Sequence, residues 1–147
     1  MRFVLRCRQC NALVSNPVQR VEWDPLPKVT GRLHYSLGAS TVAAGYCSTD
    51  PQPFRFRVDP SPVPHAAMTV VINPVDAVQM RHHTKPTRLH GCCRLDGIDG
   101  PNLLCCMCGV EIGVEISDCW TEYDVRLLRS AVIEDRLAAD EQVIAME

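Results

Sequence analysis

Two pairs of cysteines have the spacing of metal-binding knuckles. One pair brackets the segment Cys7–Cys10, and the other brackets Cys105–Cys108, which Gly109 follows. In a C-x-x-C unit, two thiolates reach one ion from a single tight turn, and a following glycine lets the backbone fold back with its N–H groups near sulfur. Two such units supply the four thiolates of a closed tetrahedral zinc site. The sequence therefore predicts a structural zinc ion held by Cys7, Cys10, Cys105 and Cys108.

This predicted site joins remote parts of the chain. About 94 residues separate Cys10 from Cys105, and closing a flexible loop of about that length costs roughly 4 kcal/mol. Zinc binding contributes about 10–16 kcal/mol in small structural zinc peptides at neutral pH. Because the metal outweighs the closure cost, a site split between two distant knuckles is energetically reasonable.

The remaining cysteines leave the number of sites and the ligand register open. A second four-thiolate site, with His90 as an alternative ligand, is available from Cys92, Cys93, Cys106 and Cys119. Adjacent cysteines seldom both bind one ion, because successive side chains diverge along a relaxed backbone. Another register pairs Cys106 with Cys108 and leaves Cys105 apolar. Cys47 has no cysteine near it in sequence and is predicted to be a small buried apolar residue.

Two other uses of cysteine are less consistent with the sequence. A redox dithiol needs a βαβ context and a thiol activated at a helix N-terminus, whereas strand-type and mostly apolar residues follow both knuckles, at 12–14 and 110–112. A disulfide scaffold needs an oxidising compartment, and residues 1–6 contain no apolar run typical of a signal peptide. We therefore expect a cytoplasmic protein in which cysteines bind metal.

The elements around the knuckles indicate a mainly β fold. Residues 3–5 and 13–14 flank the first knuckle as short strands, and residues 103–104 lead into the second. Residues 110–116 alternate apolar and polar with a period of two, which is typical of a half-buried strand. Residues 68–72 are β-branched and apolar, as in a buried strand. The prediction is a set of zinc-pinned antiparallel sheets of the zinc-ribbon type.

The domain organisation follows from length and from the breaks in pattern. With 147 residues, the chain can form one domain with a real core, so residues 1–128 are predicted to be a single zinc-binding β domain. Five prolines mark a loop at about 48–65, within which the strict alternation of residues 54–58 favours one edge strand over a polyproline-type linker. Ser130 is a suitable N-cap, and the apolar spacing that follows predicts a C-terminal helix within 129–147.

A resemblance adds to this interpretation. The segment 91–121, with its G-C-C-R-L-D-G-I-D-G-P-N block before the second knuckle and its later D-C pair, resembles a group of small actinobacterial proteins with two C-x-x-C units. That resemblance implies no particular activity. More distantly, paired C-x-x-C units followed by G-x-x-I-G are similar to the β-tent folds of Yippee and of the cereblon ligand-binding domain. This similarity implies two antiparallel sheets pinned by one zinc ion.

Three classes of function remain open from the sequence. A closed four-thiolate site leaves no coordination position for substrate, which favours a non-catalytic module that binds a protein or a small ligand. Alternatively, a zinc ion with fewer protein ligands could activate water in the His82–Cys93 region, where His82, His83 and His90 lie near two cysteines. No membrane partner is expected, because no stretch approaches the roughly 20 apolar residues that span a bilayer.

The third class, nucleic-acid binding, comes from the distribution of charge. Residues 1–94 carry a net charge of +7 and residues 95–147 a net charge of −9, which together give the chain's −2. A basic half can bind nucleic acid, or the two halves can simply face each other. Aromatic residues make up only 5% of the chain, which argues against a base-stacking platform. The basic candidates are Arg2, Arg6, Arg8, Arg81, Lys85 and Arg88.

Overall fold

The computed structural model describes residues 1–24, 38–57 and 66–138 of the chain. The strands in these ranges are β1 (Arg2–Cys7), β2 (Val18–Arg20), β3 (Tyr46–Thr49), β4 (Phe54–Arg55), β5 (Ala66–Ala67), β6 (Thr69–Ile72), β7 (Met80–His82), β8 (Leu103–Cys105), β9 (Glu111–Ile116), β10 (Asp124–Leu128) and β11 (Val132–Arg136). The helical elements described are three short 3-10 helices at Pro74–Asp76, Pro86–Arg88 and Arg129–Ala131. The prediction of a mainly β fold is confirmed.

Nine of these strands form one sheet, in the order β11-β1-β2-β3-β6-β10-β9-β8-β7, and β4 pairs with β5 separately. Pairing is antiparallel throughout, except that β2 and β3 run parallel. The second knuckle lies between β8 and β9, which pair as a hairpin. The strand predicted at 68–72 is confirmed by the buried β6.

The large sheet is curled, so that its two sides approach each other. Six inter-strand steps separate β1 from β8, and in a flat sheet they would lie about 29 Å apart. Cys7 at the end of β1 and Cys105 at the end of β8 nevertheless belong to one group of close thiols. An isolated bridge between Ser15 and Ala77 also joins the two sides. The strand order therefore brings the two knuckles together only because the sheet bends back on itself.

The inner face of the curled sheet forms the main core. Its members come from both sides of the sheet and from the strands between them, and include Phe3, Leu5, Cys7, Val14, Val18, Cys47, Val70, Ile72, Leu103, Cys105, Ile112, Val125, Leu127 and Val132. Two of the knuckle cysteines, Cys7 and Cys105, are themselves fully buried in this core. A smaller cluster packs Phe56 against Val114 and Ile116.

The predicted C-terminal helix is wrong for residues 132–136. This segment forms β11, which pairs with β1 in the register Leu5 to Glu134 and Cys7 to Val132. The apolar pair Val132-Ile133 is β-branched, and pairing with β1 buries Val132 against the core. Tertiary contacts therefore outweigh the helical spacing and the Ser130 cap signal. Residues 139–147 of the predicted helix lie outside the described residues.

The edge strand predicted at 54–58, inside the proline-rich loop at 48–65, is confirmed for residues 54–55, and the start of the loop is also strand. Residues 48–49 belong to β3 and residues 54–55 to β4, while 58–65 lie outside the described residues. The division of the chain at residue 128 stays a prediction. No helix in the described ranges is long and apolar enough to cross a membrane.

The burial of Cys47 on β3 has a consequence at alkaline pH. Cys47 is fully buried, as predicted, and desolvation raises the pKa of its thiol to about 11. Between about pH 9 and 11 the unfolded chain therefore loses the Cys47 proton first, and stability falls by on the order of 2 kcal/mol. Below pH 9 the thiol is protonated in both states and this contribution is fully present.

We expect the Cys47→Ala variant to lack this alkaline loss. The free energy of unfolding of both proteins, measured with urea from pH 7 to 11, should show the wild-type chain losing stability relative to the variant above pH 9. Other thiols contribute equally to both proteins and cancel in the difference. A constant difference over the whole range would contradict the burial of this thiol.

Candidate metal centre

Four sulfur atoms from the two knuckles lie together where the two sides of the curled sheet meet. Cys7, Cys10, Cys105 and Cys108 each place Sγ within 4.8 Å of the other three. Two close pairs join the two knuckles: Cys7 Sγ lies 3.6 Å from Cys108 Sγ, and Cys10 Sγ lies 3.7 Å from Cys105 Sγ. A tetrahedron with zinc–sulfur bonds of about 2.3 Å has edges of about 3.8 Å. The arrangement of these four residues, which we call the four-cysteine group, therefore fits four ligands around one ion.

The two knuckles have the same local backbone structure. After the first knuckle, Asn11 has a φ of 66°, and after the second, Gly109 has a φ of 79°. The N–H of Asn11 donates to Cys7 O at 2.8 Å, and the N–H of Gly109 donates to Cys105 O at 2.9 Å. A left-handed residue closes each turn, as expected for glycine. Asn11 was missed by the sequence reasoning, although asparagine is one of the residues that tolerate this conformation.

The pKa values of the thiols in this group depend on the hydrogen bonds that each sulfur accepts and on the neighbouring sulfurs. Burial would raise the pKa of Cys105, but backbone hydrogen bonds from Cys108 and Met107 outweigh it and lower that pKa. A backbone hydrogen bond from Ala12 lowers the pKa of Cys10, yet desolvation and the neighbouring thiols together raise it to about 12. Without a cation, the raised pKa of Cys10 opposes ionisation of the whole group. A bound metal ion supplies the positive charge that lets all four become thiolates.

A second group of thiols lies on the surface, formed by Cys92, Cys93 and Cys119. Their sulfur atoms lie within 4.8 Å of one another, and those of Cys92 and Cys93 are 3.8 Å apart. Cys92 and Cys93 are exposed and Cys119 is half-buried. The structure thus brings together three of the five residues suggested for a second site. We call this group the three-cysteine cluster.

The other two suggested ligands lie elsewhere. Cys106 is exposed, and its N–H donates to Gln79 O at 2.9 Å. It belongs to neither thiol group, and Cys105 rather than Cys106 lies with Cys108. His90 lies with its Nδ1 3.2 Å from a carboxylate oxygen of Asp99. None of the nine cysteines, all within the described ranges, forms a disulfide.

Asp118 organises the three-cysteine cluster and was missed by the sequence reasoning. Its buried carboxylate accepts backbone N–H groups from Cys92 at 2.7 Å, Cys93 at 2.9 Å, Arg94 at 3.2 Å and Cys119 at 2.8 Å. Burial alone would raise the pKa of Asp118, but these hydrogen bonds outweigh it and hold the pKa well below its usual range. The only signal in the sequence was an aspartate directly before Cys119.

The three histidines considered for catalysis each contact a carboxylate. His82 Nε2 lies 3.0 Å from Glu115, and His83 Nε2 lies 3.1 Å from Glu111. His90 contacts Asp99, as described above. Glu111 and Glu115 lie on β9, and Asp99 lies in the loop before β8, so each imidazole ring is held beside a carboxylate. The hypothesis that they complete a catalytic zinc site stays a prediction.

The basic half and the acidic half of the chain face each other. Arg6 forms an ion pair with Asp135 at 2.8 Å. Arg88 is buried, and its guanidinium pairs with the Glu111 carboxylate and donates a hydrogen bond to Pro101 O. Further pairs of the same kind join Arg20 to Glu134, Arg57 to Asp99 and Arg94 to Glu115. Several of the arginines suggested for nucleic-acid binding are therefore already engaged with carboxylates or with the backbone.

A cavity of about 530 Å³ adjoins the first knuckle. Three arginines, Arg8, Arg20 and Arg129, line it together with Glu134 and apolar side chains that include Leu5. Arg8 lies inside the knuckle, between Cys7 and Cys10, and its guanidinium donates to Ser130 O at 3.1 Å and Val132 O at 2.9 Å. The first knuckle and one wall of this cavity are therefore parts of the same turn.

The left-handed residues after the knuckles predict a matched set of variants. An alanine at position 11 or 109 must adopt a positive φ, which costs about 1 kcal/mol, whereas Asn11→Gly relieves that cost. A Cβ at Gly109 would meet only Arg81 Nη2 at 3.5 Å, so the loss of stability in Gly109→Ala comes mainly from the backbone conformation. Urea unfolding of metal-loaded protein should rank Asn11→Gly at or above wild type and both alanine variants below it. Equal stability of Asn11→Ala and Asn11→Gly would contradict the turn geometry.

No protein-family model, curated protein or solved structure matches this chain. The resemblance to the actinobacterial proteins and to the zinc β-tent folds therefore stays a prediction. The interpretation of both thiol groups rests on their own geometry.

Proposed function

We propose that this protein is a zinc-stabilised binding module. In this proposal, one zinc ion at Cys7, Cys10, Cys105 and Cys108 fixes the curl of the sheet. The observation that carries the proposal is the convergence of four sulfur atoms, two from each knuckle, at separations that suit one tetrahedral ion. The reducing cytoplasm expected from the sequence is part of the proposal, because these cysteines must remain thiolates to bind metal.

Zinc is the metal that the ligand set favours. Four soft thiolates in a tetrahedral set bind zinc or an iron–sulfur cluster, and separations of 3.6 and 3.7 Å across the knuckles leave room for a single ion. Two of the ligands, Cys7 and Cys105, are fully buried. With four protein sulfurs the coordination shell is complete, so this ion has no open position for water or substrate. The zinc in this proposal is structural.

Zinc retention tests this part of the proposal. We expect one zinc ion per chain to survive dialysis against a chelator, and the Cys10→Ser and Cys105→Ser variants to lose it. Because binding and folding are coupled in sites of this kind, loss of the metal should remove several kcal/mol of stability. Acidification should release the ion, because each thiolate must regain its proton.

Cys106→Ser is the matched control for these variants. Cys106 lies inside the second knuckle but outside the four-cysteine group, so its replacement should leave both zinc content and stability unchanged. Loss of zinc in Cys106→Ser together with retention in Cys105→Ser would show that the ligand register is the other one.

The binding surface we propose is the arginine-lined cavity beside the first knuckle. Three guanidinium groups against one carboxylate give its wall a positive charge, and the apolar residues offer contact area for a small hydrophobic group. Such a lining suits a small ligand that carries a phosphate or carboxylate, or the same groups on a protein partner. Because Arg8 lies within the knuckle, the zinc ion holds this part of the wall in place.

Phenyl phosphate is a suitable probe of the cavity. We expect saturable binding, weakened by salt and reduced about tenfold or more in Arg129→Gln, which removes one charge-assisted hydrogen bond. Arg94→Gln, an exposed arginine away from the cavity, is the control and should bind like wild type. Chemical-shift changes in a nuclear magnetic resonance titration locate the site. Absence of saturable binding, or equal weakening by both variants, would contradict the proposed surface.

A further inference from the structure

The three-cysteine cluster differs from the four-cysteine group in its position and in its number of sulfurs. Cys92 and Cys93 are exposed and Cys119 is half-buried, whereas half of the four-cysteine group is buried in the core. The three sulfur atoms lie within 4.8 Å of one another, which is within reach of one ion at zinc–sulfur bonds of about 2.3 Å. Three thiolates leave one tetrahedral position for a further ligand.

The backbone of this segment explains how two adjacent cysteines can face the same point. Three successive N–H groups, those of Cys92, Cys93 and Arg94, converge on the carboxylate of Asp118. Successive amides that point to one anion require a tight turn instead of an extended strand. In such a turn neighbouring side chains no longer alternate between opposite sides. The Sγ atoms of Cys92 and Cys93 accordingly lie only 3.8 Å apart.

Asp118 also links the two segments of the cluster. The same carboxylate accepts the N–H of Cys119 at 2.8 Å and the indole N–H of Trp120 at 3.2 Å. Its fixed position holds all three cysteine backbones around one point before any metal binds. Pre-organisation of this kind is what neighbouring hydrogen bonds provide around metal ligands in general. The carboxylate also adds a negative charge beside the cluster, which favours a cation there.

We propose that Cys92, Cys93 and Cys119 form a second metal site, which takes an exchangeable thiophilic divalent cation such as zinc or cobalt. The site is independent of the structural zinc proposed above. Its metal is more accessible because two of its ligands are exposed, and three thiolates hold it less completely than four. A cation there links residues 91–94 to residues 117–120. The conformation of the surface that carries Trp120, which is 68% exposed, then depends on whether metal is bound.

Cobalt titration of a single-tryptophan chain tests this proposal. The chain contains two tryptophans, so Trp23→Phe leaves Trp120 as the only indole reporter. Protein that retains the chelator-resistant zinc, kept reduced by a phosphine, is titrated with cobalt. Cobalt binds such ligands less tightly than zinc does and leaves the structural ion in place. We expect one further equivalent to bind, with sulfur-to-cobalt charge-transfer absorption and a parallel change in Trp120 fluorescence.

Serine variants in the same background identify the ligands. Cys93→Ser and Cys119→Ser should abolish the added cobalt or weaken its binding by at least about tenfold, a change that corresponds to about 1.4 kcal/mol. Cys106→Ser, the matched exposed cysteine outside both groups, should bind cobalt like the parent chain. The chelator-resistant zinc remains in all three variants, which shows that each has folded and separates this test from that of the structural site.

The positioning role of Asp118 has its own comparison. Asp118→Asn keeps all three thiols but places an amide group against backbone donors, so cobalt binding should weaken while the structural zinc stays. Asp135→Asn, which changes an exposed carboxylate on β11, should leave cobalt binding unaffected. The proposal is overturned if the parent chain binds no cobalt beyond its zinc, or if Cys93→Ser and Cys119→Ser bind it as tightly as Cys106→Ser.

Discussion

Four sulfur atoms at the junction of a bent sheet are the constraint on which the rest of this structure depends. The sheet places the two knuckles six strand positions apart, and they can share an ion only if the sheet curls until its two sides meet. Hydrophobic burial on the inner face drives that curl, while the raised pKa of Cys10 opposes full ionisation of the four thiols unless a cation is present. The zinc ion that we propose would remove this opposition, because its positive charge stabilises the thiolates where the two sides of the sheet meet. In this proposal the curl of the sheet and the metal site depend on each other.

Ion pairs between distant parts of the chain add to these contacts. The basic part of the chain, up to residue 94, meets the acidic part that follows it, and pairs such as Arg6 with Asp135 connect the neighbouring strands β1 and β11. Exposed pairs of this kind contribute little energy individually, but here they leave less unpaired charge for nucleic acid. Arg8 extends from the first knuckle into the adjoining cavity. The proposed zinc ion would thus support both the sheet and the surface that we propose for binding.

The sequence predicted the parts of the structure that depend on local spacing. The two C-x-x-C units identified the cysteines that converge, and period-two alternation identified β9, because both signals lie within a few residues. Tertiary pairing overrode the local signal at residues 132–136, where β1 offers an edge that a helix cannot use. The role of Asp118 was invisible for a related reason: its partners at 92–94 lie more than twenty residues earlier in the chain. Only the folded backbone shows how adjacent cysteines can face one point.

X-ray absorption at the zinc edge tests most directly whether both knuckles hold one ion. The measurement uses Cys93→Ser protein after chelator dialysis, so that the three-cysteine cluster does not contribute. A shared site predicts a single shell of four sulfurs at about 2.3 Å, one zinc per chain and no lighter ligand. Separate binding by each knuckle would give two sulfurs per ion with nitrogen or oxygen completing the shell. That mixed shell would contradict the closure of the sheet by a common metal ion.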